Sequence, residues 1–426
     1  MCILSNYLKR KNTSHQDLDS KPSGDLRYIV VIPCYNEPDI KKTLQSLIQA
    51  DSPKYSTEVL IVINTPENAP EKIINQNKIT YNQLLEWSTN NFTKKITFIP
   101  LYISELSAKD AGAGLARKIG MDTAIQRFYE AKKDDGYLIS MDADTLCEKN
   151  YFTTIDQAIQ KYKNLNAGII YFEHPLKGRS LPEENYEAAA HYELFLRYYK
   201  QGLAYSGFLY PFHTIGSAFC VRAQAYAKQG GMNKRKAGED FYFLNKIFQL
   251  GNIREINNTC VYPSPRPSER VLFGTGQEVK KLSQTKPITY KVYDPKYFKI
   301  LKDYFEETLR EFYKCPVENF ETLLSNQPGE LKTFLSSINF QKEWKRLHDN
   351  CSNEESFRKQ FFHWFNGLKI IQFMHYTHPD AENKMDIIKA SSVLLNQIGR
   401  YSNTDNVFEL LKIYRKLERE KETNIP

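Results

Sequence analysis

Short apolar runs alternate with amphipathic stretches over the first 260 residues. Four runs have the length and composition of buried strands: Tyr28–Pro33, Glu58–Ile63, Ile96–Leu101 and Tyr137–Met141. After the first of these, Ile40, Leu44 and Leu47 recur at helical spacing, and Leu115–Phe128 forms a second amphipathic stretch. This alternation predicts an α/β fold in which helices flank a mostly parallel sheet.

The pattern changes after about Gly276 to long, charged and aromatic-rich amphipathic stretches, which predict an all-helical C-terminal region: Pro295–Lys314, Glu354–His375, Asp386–Gly399 and Val407–Glu422. The Pro-, Gly- and Ser-rich connector Tyr262–Gly276 separates the two textures. We therefore expect a flexible N-terminal tail over residues 1–25, an α/β domain over 26–276 and a helical domain over 277–426.

Composition narrows the class of protein. The chain has 426 residues, 41% hydrophobic and 25% charged, which is typical of a soluble globular protein with two domains. Its apolar runs are far shorter than the roughly 20 residues that span a bilayer. Lys9, Arg10 and Lys11 follow a short apolar stretch instead of preceding a long one, which is unlike a secretory signal.

Cysteine usage and net charge bear on the compartment of the protein and on its expected partners. Seven cysteines occur singly without a C-x-x-C pair, which argues against a disulfide framework and a zinc cluster and favours a reducing cytoplasm. The net charge of +8 suits phosphate-bearing substrates or the anionic inner face of a membrane. Basic blocks with interleaved aromatic residues are absent from the sequence, so nucleic acid is not an expected partner.

Polar residues follow three of the predicted strands: Cys34–Glu37, Asn64–Glu67 and Asp142–Asp144. Ligands of such sheets bind beyond the carboxyl ends of the strands. In an extended backbone Asp142 and Asp144 would face the same way and could hold one Mn or Mg ion together with a diphosphate. Without that context, loop-solvating or helix-capping aspartates would be the better explanation of the motif.

Two further segments place charged groups at predicted helix starts. Lys109–Arg117 combines glycines with a cationic Arg117, a pattern that suits a phosphate site but also fits a simple turn. Gly238–Asp240 opens an apolar helical stretch, where acidic residues cap the helix. One of these carboxylates could also act as a general base toward a sugar hydroxyl.

These segments occur in an order that resembles the family 2 glycosyltransferases with the GT-A fold, of the bacterial type with an added helical region. The matching motifs are Val31–Glu37, Asn64, Gly114-x-Ala-Arg117, Asp142-x-Asp144, Gly216-Ser217 and Gly238–Asp240. The resemblance covers roughly Leu26 to Leu250 and the connector. Single motifs are loose, whereas their order and spacing are specific.

The resemblance implies roles for particular residues. The nucleotide-sugar would contact Pro33, Tyr35, Glu37, Asn64, Lys109, Arg117 and Asp142. The divalent metal would bind Asp142 and Asp144, the acceptor would contact Gly216 and Ser217, and the base would be Asp240 with Glu239 in reserve. Asn64 departs from the aspartate that commonly contacts the base in this family, which leaves the nucleobase open.

The connector supplies two further candidates. Arg266 and Arg270 are spaced so that both guanidinium groups could reach the diphosphate and close over the donor as a lid, and a solvent-exposed linker is the alternative.

The expected activity is inverting transfer of a sugar from a nucleotide-sugar, UDP-linked by expectation, to a hydroxyl of a glycan, lipid-linked or other acceptor. A nucleotidyltransferase is disfavoured because Cys34–Glu37 lacks a glycine- and lysine-rich loop. An inactive GT-A-like scaffold is disfavoured because Asp142, Asp144 and Asp240 are all present. The helical region could hold acceptor, contact a membrane face or mediate assembly, and the oligomeric state stays open.

Overall fold

The computed structural model of the chain describes residues 2–10, 14–268 and 274–420. Its strands are β1 Leu26–Cys34, β2 Ser56–Pro66, β3 Ile96–Leu106, β4 Tyr137–Ser140, β5 Leu146–Cys147, β6 Ala167–Phe172, β7 Phe219–Arg222, β8 Ile253–Tyr262, β9 Lys291–Val292 and β10 Met385–Asp386. Its helices up to residue 283 are α1 Ile3–Leu8, α2 Ile40–Gln49, α3 Glu71–Asn90, α4 Ala113–Glu130, α5 Tyr151–Lys161, α6 Glu183–Tyr205, α7 Ala223–Lys228, α8 Glu239–Phe248 and α9 Thr275–Ser283.

The later part of the chain is helical apart from two short strands. The helices are α10 Lys296–Asp303, α11 Leu309–Lys314, α12 Phe320–Ser325, α13 Gly329–Ser337, α14 Phe340–Asn350, α15 Glu354–Trp364, α16 Gly367–Thr377, α17 Ile387–Gln397 and α18 Val407–Arg419. A π turn at Tyr304–Thr308 and 3-10 turns at Val317–Asn319 and Ala381–Asn383 connect some of them. Among the described residues, none of the helices is long and apolar enough to cross a membrane.

The chain forms two compact units. Unit 1 comprises the described residues up to Ala189, then Thr214–Gln284, then those from Glu418 onward. Unit 2 comprises Ala190–His213 and Thr285–Leu417. The division runs through α6, since its first turns belong to unit 1 and the rest of the helix to unit 2.

Unit 1 is built on an eight-stranded sheet in the order β3-β2-β1-β4-β7-β6-β8-β5. The four predicted strands lie side by side and parallel, while β7 pairs antiparallel with both β4 and β6. The α/β architecture and the helical C-terminal region are confirmed, and the complete sheet is mixed because β5 and β7 run against their neighbours.

The long helix α4 packs directly on the centre of this sheet. Most of its residues are buried, and at Gly120 an added Cβ would lie 2.4 Å from Val31 Cγ1 and 2.9 Å from Val62 Cγ2. A glycine is therefore needed where the helix backbone approaches β1 and β2. This packing fixes the start of α4, which carries Arg117, relative to the carboxyl ends of the strands.

The N-terminal residues differ from the flexible tail expected from their composition. Leu4 and Tyr7 of α1 are buried, and the Tyr7 hydroxyl donates to Asp122 of α4 at 2.6 Å. Asp122 is fully buried and also accepts from the Tyr226 hydroxyl at 2.7 Å. A buried carboxylate needs such donors, and the composition of residues 1–25 gave no sign that Tyr7 supplies one.

Unit 2 has an aromatic core and a buried ion cluster. Phe305, Phe340 and Phe361 are fully buried, and the Phe361 ring contacts both of the others. Glu193 of α6 is fully buried and accepts hydrogen bonds from Arg197 and from Arg415 of α18, each at 2.8 Å. Burial of these faces explains the aromatic-rich amphipathic pattern of the sequence.

Candidate active site

The carboxyl ends of β1, β2 and β4 meet at one edge of the sheet in unit 1. β4 ends at Ser140, and a turn follows in which the Thr145 N–H donates to the Asp142 carbonyl at 3.1 Å. The sequence had suggested that Asp142 and Asp144 share one face of an extended strand. Because of this turn, they do not. The turn directs each carboxylate to a different arginine.

Arg117 is the centre of the first cluster. Its side chain is 3% exposed, and its Nη2 donates to Asp142 Oδ1 at 3.0 Å. Its Nη1 donates to Ser140 Oγ at 2.6 Å and to the Gly216 carbonyl at 3.0 Å, while its Nε donates to Glu239 Oε1 at 3.3 Å. One guanidinium thus joins the starts of α4 and α8 to the end of β4.

Asp240 lies beside this cluster with a perturbed acidity. Burial, the adjacent Glu239 and Asp142 raise the pKa of Asp240 to about 7, against the opposing effect of Arg117. Its Oδ1 accepts from the Phe241 N–H at 2.7 Å. A carboxylate with this pKa can take a proton and release it near neutral pH.

Glu239 has a different environment from Asp240. Its side chain is 6% exposed and is engaged by Arg117. For Arg117 itself, burial lowers the pKa, but Asp142, Glu239 and Asp240 together raise it above the usual arginine value. The guanidinium stays charged, so Glu239 has a fixed ionic partner and Asp240 is the better proton acceptor.

Two glycines allow the backbone to reach these side chains. Gly238 precedes α8 with a φ of 69°, a left-handed conformation that favours glycine. At Gly216 an added Cβ would lie 2.8 Å from Arg117 Nη2 and 3.2 Å from Asp240 Oδ2. The proposed acceptor residue Gly216 therefore contacts the charged centre directly. Its neighbour Ser217 is buried, and its hydroxyl has no hydrogen-bond partner among the described residues.

Arg266 of the connector forms a second cluster with two carboxylates. Its Nε donates to Asp144 Oδ2 at 2.9 Å, and its Nη1 and Nη2 donate to the two oxygens of Glu37. Glu37 is 1% exposed, whereas Arg266 and Asp144 are about a quarter exposed. Of the two connector arginines in the lid hypothesis, Arg266 thus faces the site, and Arg270 lies outside the described residues.

The candidate nucleobase residue lies at the end of β2. Asn64 is 2% exposed, and its side-chain oxygen has no hydrogen-bond partner among the described residues. Asn77 of α3 donates to the Asn64 carbonyl at 3.2 Å and accepts from the Asn36 N–H at 2.9 Å. Asn77 thereby links the ends of β1 and β2, the two strands that carry Pro33 and Asn64.

The remaining donor-site candidates are less constrained. Pro33 and Tyr35 are partly buried at the end of β1, and burial raises the pKa of Tyr35. Lys109 is exposed on the turn before α4. Its contact with a nucleotide stays a prediction.

The chemistry of the acidic residues suits a cation that brings other ligands with it. Asp142 and Asp144 side chains are 41% and 27% exposed, so each carboxylate reaches solvent although it also pairs with an arginine. Within residues 2–10, 14–268 and 274–420, no group of three or more His, Cys, Asp or Glu side chains could hold a metal. Mg and Mn accept such a two-carboxylate set when phosphate oxygens and water complete the coordination.

Two residues of the site were missing from the sequence-based predictions. Ser140 donates from its Oγ to the Gly216 carbonyl at 2.6 Å, and Asn77 links two strand ends. Each had a usable signal, because each is polar within an apolar pattern. Ser140 is a polar residue in the otherwise apolar, buried strand β4, and Asn77 shares the buried face of α3 with Thr80 and Leu84.

Comparison with known proteins gives only distant similarities. No family model and no curated protein matches the chain. Among solved structures, TarS 1–349 of S. aureus in complex with UDP-GlcNAc is 15% identical, with a TM-score of 0.41, and the match covers 79% of this chain and 92% of that one. The corresponding complex with UDP is 14% identical, with a TM-score of 0.40 and the same coverage of both chains. GalNAc-T7 with UDP, GalNAc and Mn2+ is 14% identical, with a TM-score of 0.35, and the match covers 82% of this chain and 58% of that one. These likenesses are too distant to assign an activity.

Proposed function

We propose that the protein is an inverting glycosyltransferase that moves a sugar from a nucleotide-sugar donor, UDP-linked by preference, to an acceptor hydroxyl. The observation that carries the proposal is the cluster at the end of β4. There the charged Arg117, the half-exposed Asp142 and an Asp240 with a pKa of about 7 converge on Gly216. A basic group, a carboxylate and a proton acceptor are parts that such a transfer requires.

In this scheme Asp240 removes the proton of the acceptor hydroxyl. The acceptor oxygen then attacks the anomeric carbon from the face opposite the nucleoside diphosphate, so a new C–O bond forms as the bond to the β-phosphate oxygen breaks. The diphosphate leaves with the electron pair, and the anomeric centre is inverted. In this proposal Arg117 and Arg266 supply the positive charge that stabilises the leaving group.

A divalent cation, Mn or Mg, would be held by Asp142 and Asp144. When bound, it would neutralise charge on the departing diphosphate. Arg266 donates three hydrogen bonds to Asp144 and Glu37. We therefore propose that this arginine moves toward the phosphates when the nucleotide-sugar binds.

Calorimetric titration with UDP, GDP and CDP, each with and without Mn, tests the proposal on wild type and on Asp144→Ala. We expect tight binding of one nucleotide that depends on Mn and is lost in the variant. Absence of binding to folded wild type would contradict the transferase proposal and favour the scaffold alternative.

Turnover provides the second test. We expect hydrolysis of the preferred nucleotide-sugar to be slow without acceptor and to be about 100-fold to 10,000-fold slower still in Asp240→Asn. An Asp240→Asn variant that still turns over at the wild-type rate would remove Asp240 from the scheme while leaving the donor site in place.

A further inference from the structure

A short basic segment precedes the candidate base in the chain and has no role in the scheme above. Asn233–Lys236, here called the basic loop, connects α7 to α8, and its Lys234, Arg235 and Lys236 are all exposed. It contains three positive charges and no acidic residue. A charged run is usually just a solvated surface, so its surroundings decide whether it can recognise a ligand.

The basic loop packs against the turn that precedes α4. An added Cβ at Gly114 would lie 2.0 Å from the Arg235 carbonyl oxygen, and one at Gly112 would lie 3.3 Å from the Lys236 Cα. Gly114 is three residues before Arg117, and Lys236 is four residues before Asp240. The basic loop is thus held beside the N-terminal ends of α4 and α8, the two helices that carry the charged centre.

Two local contacts engage Arg235 of the basic loop. The Arg235 N–H donates to Asn233 Oδ1 at 3.0 Å, and the Arg235 guanidinium lies 3.8 Å from the centre of the Tyr242 ring. A cation–π contact at this distance orients the guanidinium without neutralising it. The loop therefore presents an ordered positive charge, which lowers the entropic cost of binding an anion.

Nearby acidic groups neutralise little of this charge. Lys234 Nζ lies 3.8 Å from Asp110 Oδ2, and both side chains are well exposed, so the pair is weak. A surplus of positive charge therefore remains on the basic loop, which leads into α8 and Asp240.

We infer that the acceptor is anionic, a chain that carries phosphate or carboxylate groups, and that the basic loop binds those groups. This inference rests on the proposed transferase function, because it places the acceptor next to Asp240. A membrane surface is a poorer fit: docking to lipid pairs basic residues with exposed apolar ones, and Met232, just before the loop, is 2% exposed.

Dextrans of one length provide a matched set of probes: unmodified, carboxymethylated and phosphorylated. Binding of each to the UDP- and Mn-loaded protein is measured at low and at physiological salt, beside vesicles of phosphatidylglycerol. We expect both charged dextrans to bind more tightly than the neutral one, and added salt to weaken their binding. A preference between them identifies the phosphate or the carboxylate as the recognised group.

The double variant Lys234→Ala/Lys236→Ala tests the location of this binding. We expect it to lose about tenfold in affinity for charged dextrans, because two exposed charge contacts are removed, with UDP affinity unchanged. The control Lys161→Ala/Lys163→Ala removes the same charge from exposed positions at the end of α5 and should bind like wild type.

Three results would overturn the inference: equal binding of charged and neutral dextrans, equal losses in both double variants, or tight binding to vesicles with none to dextrans. UDP binding separates these failures from failure of the proposed function. If UDP still binds with Mn, only the acceptor inference falls. If UDP does not bind, the transferase proposal itself falls.

Discussion

At the scale of single residues, the site consists of carboxylates whose neighbours give them different properties. Glu239 and Asp240 are adjacent in sequence, yet Arg117 pairs with Glu239 while burial raises the pKa of Asp240 to about 7. Two similar side chains can therefore have separate roles, one structural and one in proton transfer.

Replacing Asp240 by Asn removes the proposed proton acceptor with little change of shape. We expect kcat to fall by about 100-fold to 10,000-fold, with UDP affinity retained. Glu239→Gln should instead weaken the Arg117 cluster, so that KM rises in addition to any fall in kcat. Steady-state kinetics of both variants separate the two roles, and activity retained in Asp240→Asn but lost in Glu239→Gln would reverse the assignment.

The raised pKa of Asp240 predicts the pH dependence of wild type. A general base must be deprotonated, so kcat/KM should fall about tenfold per pH unit below about pH 7 and level off above it. A rate profile between pH 5 and 9 measures this. A base with an ordinary aspartate pKa would leave the rate flat across that range.

Arg266 neutralises Glu37, which is 1% exposed, and also contacts Asp144. We expect Arg266→Ala to weaken UDP binding about tenfold, the size of one charge-assisted hydrogen bond of about 1.5 kcal/mol. Arg266→Lys should recover only part of this, because a lysine cannot span both carboxylates. Calorimetry measures these UDP affinities. The control is Arg254→Ala, which replaces an arginine that lies over the Tyr162 ring, and its UDP affinity should be unchanged.

At the scale of elements, periodicity predicted the four leading strands and two of the helices between them, α2 and α4. Buried positions dominate β1, β2 and β4, which is why their sequences are continuous apolar runs. The antiparallel β7 and the short β5 lacked such a signal, since pairing direction depends on where the chain returns to the sheet. The C-terminal stretch Glu354–His375 divides into α15 and α16, with Asn366 capping the second helix.

Helix α4 provides a test of how closely the elements pack. Gly120→Ala should destabilise unit 1 by about 1–3 kcal/mol, because the added methyl group clashes with Val31 and Val62 in a dense core. Gly24→Ala is the matched control, since an added Cβ there meets nothing within 4 Å. Urea unfolding followed by fluorescence measures both, and equal stabilities would show that the α4 interface can adjust.

At the scale of the whole molecule, the donor-site candidates of known position all belong to unit 1. A ligand that binds only the folded unit stabilises it by mass action, by about 2.7 kcal/mol at 100 times its Kd. We therefore expect UDP with Mn to raise the unfolding temperature of unit 1. Calorimetric scanning should show this shift in wild type and not in Asp144→Ala, and a transition of unit 2 should stay in place.

The sequence by itself determined the α/β and helical halves, the polar strand ends and most candidate residues, because these follow from local periodicity and from side-chain chemistry at strand ends. Only the tertiary structure decided which groups meet. It brings Arg117 to Asp142 and Glu239, Arg266 to Glu37, and the basic loop to Gly114, across separations of up to 229 residues. It also places α1 against Asp122. Such pairings depend on how the sheet and helices close around the buried charges, and no local pattern specifies that closure.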